Sequence, residues 1–143
     1  MGRGMLFAPV IALAVLSGCG GSESKVPGGA VKADSALVAL GNEPFWNVRV
    51  TSGEILYRDP EHQDGYRFPS VAPVEEGDAH VYRARRDIPP GDPGPRTLEL
   101  RIRQGTCSDG MSDRTYPMTA ELKLGDRAYT GCAWRQPDAQ PAQ

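Results

Sequence analysis

Residues 97–103 read Thr-Leu-Glu-Leu-Arg-Ile-Arg, so Leu98, Leu100 and Ile102 alternate strictly with Glu99, Arg101 and Arg103. A period of two puts the apolar set on one face of an extended strand and the charged set on the other. The pattern recurs where Trp46, Val48 and Val50 alternate with Asn47 and Arg49, and where Met118, Ala120, Leu122 and Leu124 alternate with Thr119, Glu121 and Lys123. No apolar pattern at helical spacing lasts three turns and no segment repeats, so the chain reads as sheet with one face buried.

Turn residues fall between these runs. Thr51-Ser52-Gly53-Glu54 leads from Val50 into a strand over residues 55–57 as one hairpin. Glu76-Gly77-Asp78 precedes a strand over residues 81–85, with residues 71–74 as its expected partner, and Gly125-Asp126 joins Leu124 to a return strand over residues 127–134. Residues 89–95 hold prolines 89, 90, 93 and 95, which lack the N–H that a ladder needs, and so predict an exposed loop. With 17 Gly and 13 Pro against 7% aromatic residues, the strands are short and the core is small. The expectation is an all-β domain over residues 35–135, a small antiparallel barrel or sandwich of about seven to eight strands.

The first nineteen residues have the order of a secretory signal peptide. Arg3 supplies the positive end, residues 5–15 are an apolar stretch too short to span a bilayer permanently, and Leu16-Ser17-Gly18 leads directly into Cys19. That last element matches the lipobox of bacterial lipoproteins, in which residues 1–18 are removed and the thiol of Cys19 carries a diacylglyceryl group, with a further acyl chain such as palmitate. Acyl chains contribute about 0.8 kcal/mol per buried methylene, so the expected mature protein is anchored in a membrane and does not span it. Gly20 and Gly21 follow, with no Asp to retain the chain at the inner membrane, which predicts the periplasmic face of the outer membrane. Residues 19–34 are rich in Gly, Ser and Lys and read as a flexible tether, and residues 136–143, of Gln, Pro, Asp and Ala, as a disordered tail.

Once Cys19 is assigned to lipid, Cys107 and Cys132 remain as an even pair in an oxidising compartment, and a disulfide between them is expected. It would tie the last hairpin to the loop after the Leu98 strand. There is no Cys-x-x-Cys pair, and His62 and His80 lie far from both cysteines in sequence, so neither a metal nor a cofactor is expected. With 16 Lys+Arg against 18 Asp+Glu, the chain lacks the positive excess that would neutralise a run of phosphates, which argues against nucleic acid as a partner.

Two segments do not read as generic strand or turn. Gly41-Asn42-Glu43-Pro44-Phe45-Trp46 combines a turn, a carboxylate and two aromatics, and Cys107-Ser108-Asp109-Gly110-Met111-Ser112-Asp113-Arg114-Thr115-Tyr116-Pro117 is a polar loop opening at the expected disulfide. Together with Gly131-Cys132-Ala133 they resemble an uncharacterised family of bacterial envelope proteins and lipoproteins, which carries Gly-Asn-Glu-Pro-Phe-Trp early and Cys-Ser-Asp-Gly-Met-Ser-Asp then Tyr-Pro late. The resemblance covers residues 41–133 and implies the cell envelope, without implying an activity.

Each candidate residue has a bland use beside its functional one. Trp46 shares parity with Val48 and Val50 and is expected in the core, leaving Phe45 on the opposite face; both could otherwise form an aromatic platform. Glu43 could be a general acid, but a lone carboxylate in a turn is more often solvated or bonded to nearby amides. Asp109 and Asp113 flank Gly110 without the closing bidentate Glu of a calcium loop, which favours Asx turns that brace the loop. Ser108 and Ser112 have no histidine in their motif, so a hydrolytic triad would have to borrow His62 or His80. Arg83, Arg85, Arg86, Arg96, Arg101 and Arg103 could form a basic stripe for an anionic partner such as lipid A or peptidoglycan carboxylates, and a solvated face is the plainer reading.

These readings converge on a lipid-anchored, non-enzymatic binding or envelope-maintenance module. Its partner would be an envelope protein, peptidoglycan or lipid, with Ser108, Asp109, Met111, Ser112, Asp113 and Arg114 as the candidate binding loop and Asn42, Glu43, Phe45 and Trp46 as the candidate motif. The alternative is an inhibitor of a wall-degrading hydrolase such as lysozyme, by analogy with small β lipoproteins that insert a polar loop into that enzyme's cleft. An enzyme comes third, because no nucleophile stands with its base.

Overall fold

The computed structural model describes residues 35–136; the signal peptide, Cys19, the tether and the tail beyond Gln136 lie outside them. The described residues form no helix and nine strands: β1 (Leu37–Asn42), β2 (Phe45–Val50), β3 (Glu54–Arg58), β4 (Tyr66–Pro69), β5 (Val74–Glu76), β6 (Ala79–Arg85), β7 (Thr97–Ser108), β8 (Thr115–Leu124) and β9 (Arg127–Arg135). All pair antiparallel in one sheet of order β4-β3-β2-β1-β9-β8-β7-β6-β5. The chain therefore starts in the middle of the sheet, meanders out to one edge, crosses to the other edge and meanders back until β9 closes against β1.

The crossing dictates the shape. Eight strand spacings of about 4.8 Å would hold the two edges of a flat sheet roughly 38 Å apart. Residues 70–73, which join β4 to β5, can span only about 18 Å even fully extended. The sheet is accordingly curled into a half-barrel, with β4 in contact with β6 across the gap. Its concave side is filled by the alternating residues: Leu37, Ala39, Trp46, Val48, Val50, Leu98, Leu100, Ile102, Met118, Ala120, Leu122 and Leu124 are all buried there. Burial of each large aliphatic side chain contributes about 1.5–3 kcal/mol.

The structure departs from the sequence expectation at three places. β1 and β4 are strands that the pattern did not single out, which raises the count to nine. The partner of β6 is Val74–Glu76, closer to the turn than residues 71–74, because Gly77 adopts a left-handed conformation at φ 64° and lets Glu76 pair directly with Ala79. Cys107 lies within β7 and not in a loop after it. The proline-rich segment over residues 89–95 is a loop as expected, with Pro89, Pro90, Gly91 and Pro93 exposed, while Asp92, Gly94 and Pro95 gather around the half-buried Arg86, which donates to Asp92 and to the Pro95 carbonyl.

Beyond Gln104 the β7–β8 pairing slips, and it resumes only at Cys107 opposite Tyr116. This irregularity lets the tip of the hairpin fold over the outer face of β9 and β1, where Cys107 is bonded to Cys132 with their Cα atoms 5.5 Å apart. Beneath it sits a second small core of Tyr116, Cys132 and Trp134, packed with Val38, Leu40 and Cys107. The Tyr116 and Trp134 rings lie 5.2 Å apart.

Candidate functional site

The folded-back hairpin tip brings the sequence motifs together. Asn42, at the end of β1, donates from its side-chain amide to the backbone carbonyl of Asp109, which is 67 residues away in sequence. Gly131, between them on β9, completes a groove of about 350 Å³ lined by Asn42, Glu43, Asp109, Met111 and Cys132. Residues 41–43, 108–111 and 130–132 thus meet at one groove, with Phe45 exposed beside it.

Glycines make the close approach possible. A Cβ on Gly41 would overlap the Trp46 indole, and one on Gly131 would overlap the Leu40 carbonyl and press on the same ring. Trp46, only 3% exposed, lies against these two backbones, with its indole N–H buried and without a hydrogen-bond partner among the described residues. Its neighbour Phe45 points the other way and is 52% exposed. The Glu43-Pro44 peptide is cis, and Glu43 and Pro44 turn outward into solvent.

The loop is braced by one aspartate. The Asp109 carboxylate accepts from the backbone amides of Met111 and Ser112 and from the Ser112 hydroxyl, at 3.0, 2.9 and 2.8 Å, and these bonds hold it below the usual carboxylate range. Asp113 makes no hydrogen bond or ion pair among the described residues, so the two aspartates that flank Gly110 have different uses. The Ser108 hydroxyl accepts from the Gly110 amide and the Ser112 hydroxyl from the Arg114 amide. Met111 is 67% exposed, and Arg114 is half-buried with no carboxylate within ion-pair distance among the described residues.

Other candidates are scattered. Neither His62 nor His80 hydrogen-bonds a serine: His62 bonds Asp59, and His80 stands 3.9 Å from Glu75. No group of three or more His, Cys, Asp or Glu among the described residues is placed to hold a metal ion. In the arginine stripe, Arg83, Arg101 and Arg103 interleave with Glu76, Asp78, Glu99 and Glu121 across β5 to β8, a solvated and neutralised face. Arg83 and Arg101 hydrogen-bond the Glu76 carboxyl and hold it at about 2.

The open end of the half-barrel carries a cleft of about 620 Å³ that no sequence motif announced. There the Asp59 carboxylate accepts from the Tyr57 hydroxyl at 3.0 Å, from the backbone amides of Glu61 and His62, and contacts His62 Nδ1 at 2.9 Å. Burial works to raise Asp59, but the Tyr57 hydroxyl and His62 outweigh it and leave the carboxyl below its ordinary value. Burial first, then the Asp59 carboxylate, push the Tyr57 phenol far above the usual tyrosine range. Tyr66 lies beside His62 and under the Arg86 guanidinium, which is 4.9 Å from the ring centre. These residues come from β3, β4 and the connection between them, so only the curl of the sheet sets them opposite residues 93–97 and 124–129. Comparison with protein-family models, with curated proteins and with solved structures finds no match to the chain.

Proposed function

We propose that this chain is a lipid-anchored lipoprotein of the bacterial envelope, held on the periplasmic face of the outer membrane through Cys19, whose β domain binds a protein partner without catalysing a reaction. The reading is supported above all by Phe45 and Met111, two of the large hydrophobic residues left exposed, which sit on the two segments tied by the Asn42 to Asp109 bond. Aromatic, Met and Arg side chains are enriched where protein interfaces bury their centres. Phe45, Met111 and Arg114 supply one of each. The cross-link and the Asp109 brace order this surface before binding, which lowers the entropy cost of association. A disulfide-bonded domain behind a lipobox also fits an oxidising periplasm.

The test is capture from the protein's own envelope fraction, using the acylated protein as bait and mass spectrometry as readout. Phe45→Ala and Met111→Ala should each weaken capture by about tenfold, the scale of an interface anchor, while leaving the melting temperature unchanged. Cys19→Ser should block lipid attachment and removal of residues 1–18 at this site, as read by mass spectrometry. Capture that stays constant once normalised to folded protein would remove the proposal.

A second reading is inhibition of a wall-degrading hydrolase such as lysozyme. It is favoured by Arg114, a cation without a carboxylate partner among the described residues, on a loop already braced. A lysozyme turbidity assay with added protein checks it, and Arg114→Ala should then relieve the inhibition.

A further inference from the structure

We infer that the cleft at the open end of the half-barrel is a binding site for a small anionic saccharide, a sugar ring carrying a carboxylate or a phosphate. At about 620 Å³ it falls within the range of small-molecule sites, and none of residues 41–46 or 107–117 lines it, although Asp59 also borders the pocket beside Phe45. Two of its cations are unpaired. Arg96 and Arg127 both line the cleft, and neither has a carboxylate within ion-pair distance among the described residues. The stripe arginines Arg83, Arg101 and Arg103 are by contrast all matched to acids.

Two carboxylates, Asp59 and Asp126, also line the cleft and balance its formal charge, but neither pairs with these arginines. Asp59 lines the same cleft, but its two oxygens already take the Tyr57 hydroxyl, the His62 ring and two backbone amides. Asp126 lies at the exposed β8–β9 turn beside Arg127 without pairing to it. Two unpaired arginines on the lining of one cleft suit an anion, which guanidinium groups bind through charge-assisted hydrogen bonds. The rest of the lining favours a hydroxylated ring over a flat apolar one. Tyr66, Tyr129 and His62 present phenol and imidazole groups, with Thr97 on the facing wall, so the cleft offers both donors and acceptors around an aromatic flank.

Resting on the proposed envelope location, this chemistry has two sources, the lactyl carboxylate of a wall sugar and the phosphate of a lipid headgroup sugar. Titration of the isotope-labelled full-length protein, followed by amide shifts of Gly94 and Gly125, distinguishes them. The probes are N-acetylmuramic acid, glucosamine 1-phosphate, the neutral N-acetylglucosamine, and benzoate as an anion without hydroxyls. At least one anionic sugar should shift both glycines with a Kd near or below about 1 mM. N-acetylglucosamine and benzoate should each bind at least about tenfold more weakly, a difference of about 1.4 kcal/mol. The preferred anionic sugar names the source. Arg96→Ala and Arg127→Ala, both at exposed positions, should each weaken that binding about fivefold or more, whereas Arg49→Ala, exposed on β2 and outside the cleft lining, should leave it unchanged. Three results would each overturn the inference: no shift with either anionic sugar up to about 10 mM, which is weaker than any specific site here would be; equal binding of the neutral sugar or of benzoate; or unchanged affinity in both arginine variants. Partner capture through Phe45 and Met111 is measured separately, so either reading can fail alone.

Discussion

Gly131 sits in β9 where its Cα faces the Leu40 carbonyl of β1, with the Trp46 ring beyond it. Any side chain there must push the β1–β9 pairing apart at the point where the chain's first and last strands meet. Gly131→Ala should therefore destabilise the domain by at least about 2 kcal/mol, at the upper side of overpacking costs, as read by denaturant unfolding. Gly53→Ala, in an exposed open turn, is the control and should change little. The two aspartates of the loop make a second residue-scale contrast. Asp109 accepts three hydrogen bonds within the loop and Asp113 accepts none among the described residues. Asp109→Ala should lower the melting temperature and Asp113→Ala should not; equal effects would show that the brace is misassigned. Of these roles, the sequence displayed the residue types but not their partners, since Asx turns at either aspartate were equally compatible with it.

At the scale of elements, the β7–β8 hairpin owes its folded-back tip to the cross-link and to the small outer core. Closing a loop of 25 residues constrains the unfolded chain by about 3–4 kcal/mol, so reduction or Cys132→Ser should lower stability by that order. Because Trp134 lies under the tip and Trp46 lies in the concave core, reduction should also expose Trp134 preferentially to a fluorescence quencher. Edge strand β5 is held differently, through Glu76 and its two arginines. The folded-state carboxyl sits at about 2, below its ordinary value, so its stabilisation is complete above the ordinary carboxylate range and is lost as pH falls towards 2. The gap in melting temperature between the protein and Glu76→Gln should be constant above pH ~5 and should close near pH ~2. High salt should narrow it as well, because these groups are exposed.

For the molecule as a whole, the pairing of β1 with β9 joins the two ends of the folded region, and residues 70–73 join the two edges. Neither half of the sheet can bury its concave face without the other, since Leu37 and Trp46 of the first meander share one core with Leu100 and Leu122 of the second. The oxidised protein should unfold in a single transition, with coincident midpoints by far-ultraviolet dichroism and tryptophan fluorescence. Separated midpoints would mean that the halves fold independently.

The alternation of Leu98, Leu100 and Ile102, and its echoes at Trp46 and Met118, determined by local chemistry alone that the chain is all-β and which face of each long strand is buried. The even cysteine pair likewise carried its own disulfide. β1 was harder to see, because Gly41 ends its apolar face and Val38 and Leu40 are apolar on the other, where the hairpin tip covers them. β4 is too short to show a period. What only the tertiary structure decided is which distant residues meet. Period-two patterning assigns a side chain to a face but says nothing of which strand lies beside it, and a curled sheet brings its ends and edges together through pairings far apart in sequence. Asn42 reaches Asp109 because β9 inserts next to β1 and the hairpin folds over both. Asp59, Arg96 and Arg127 face one cleft because a four-residue crossing forces the sheet to curl.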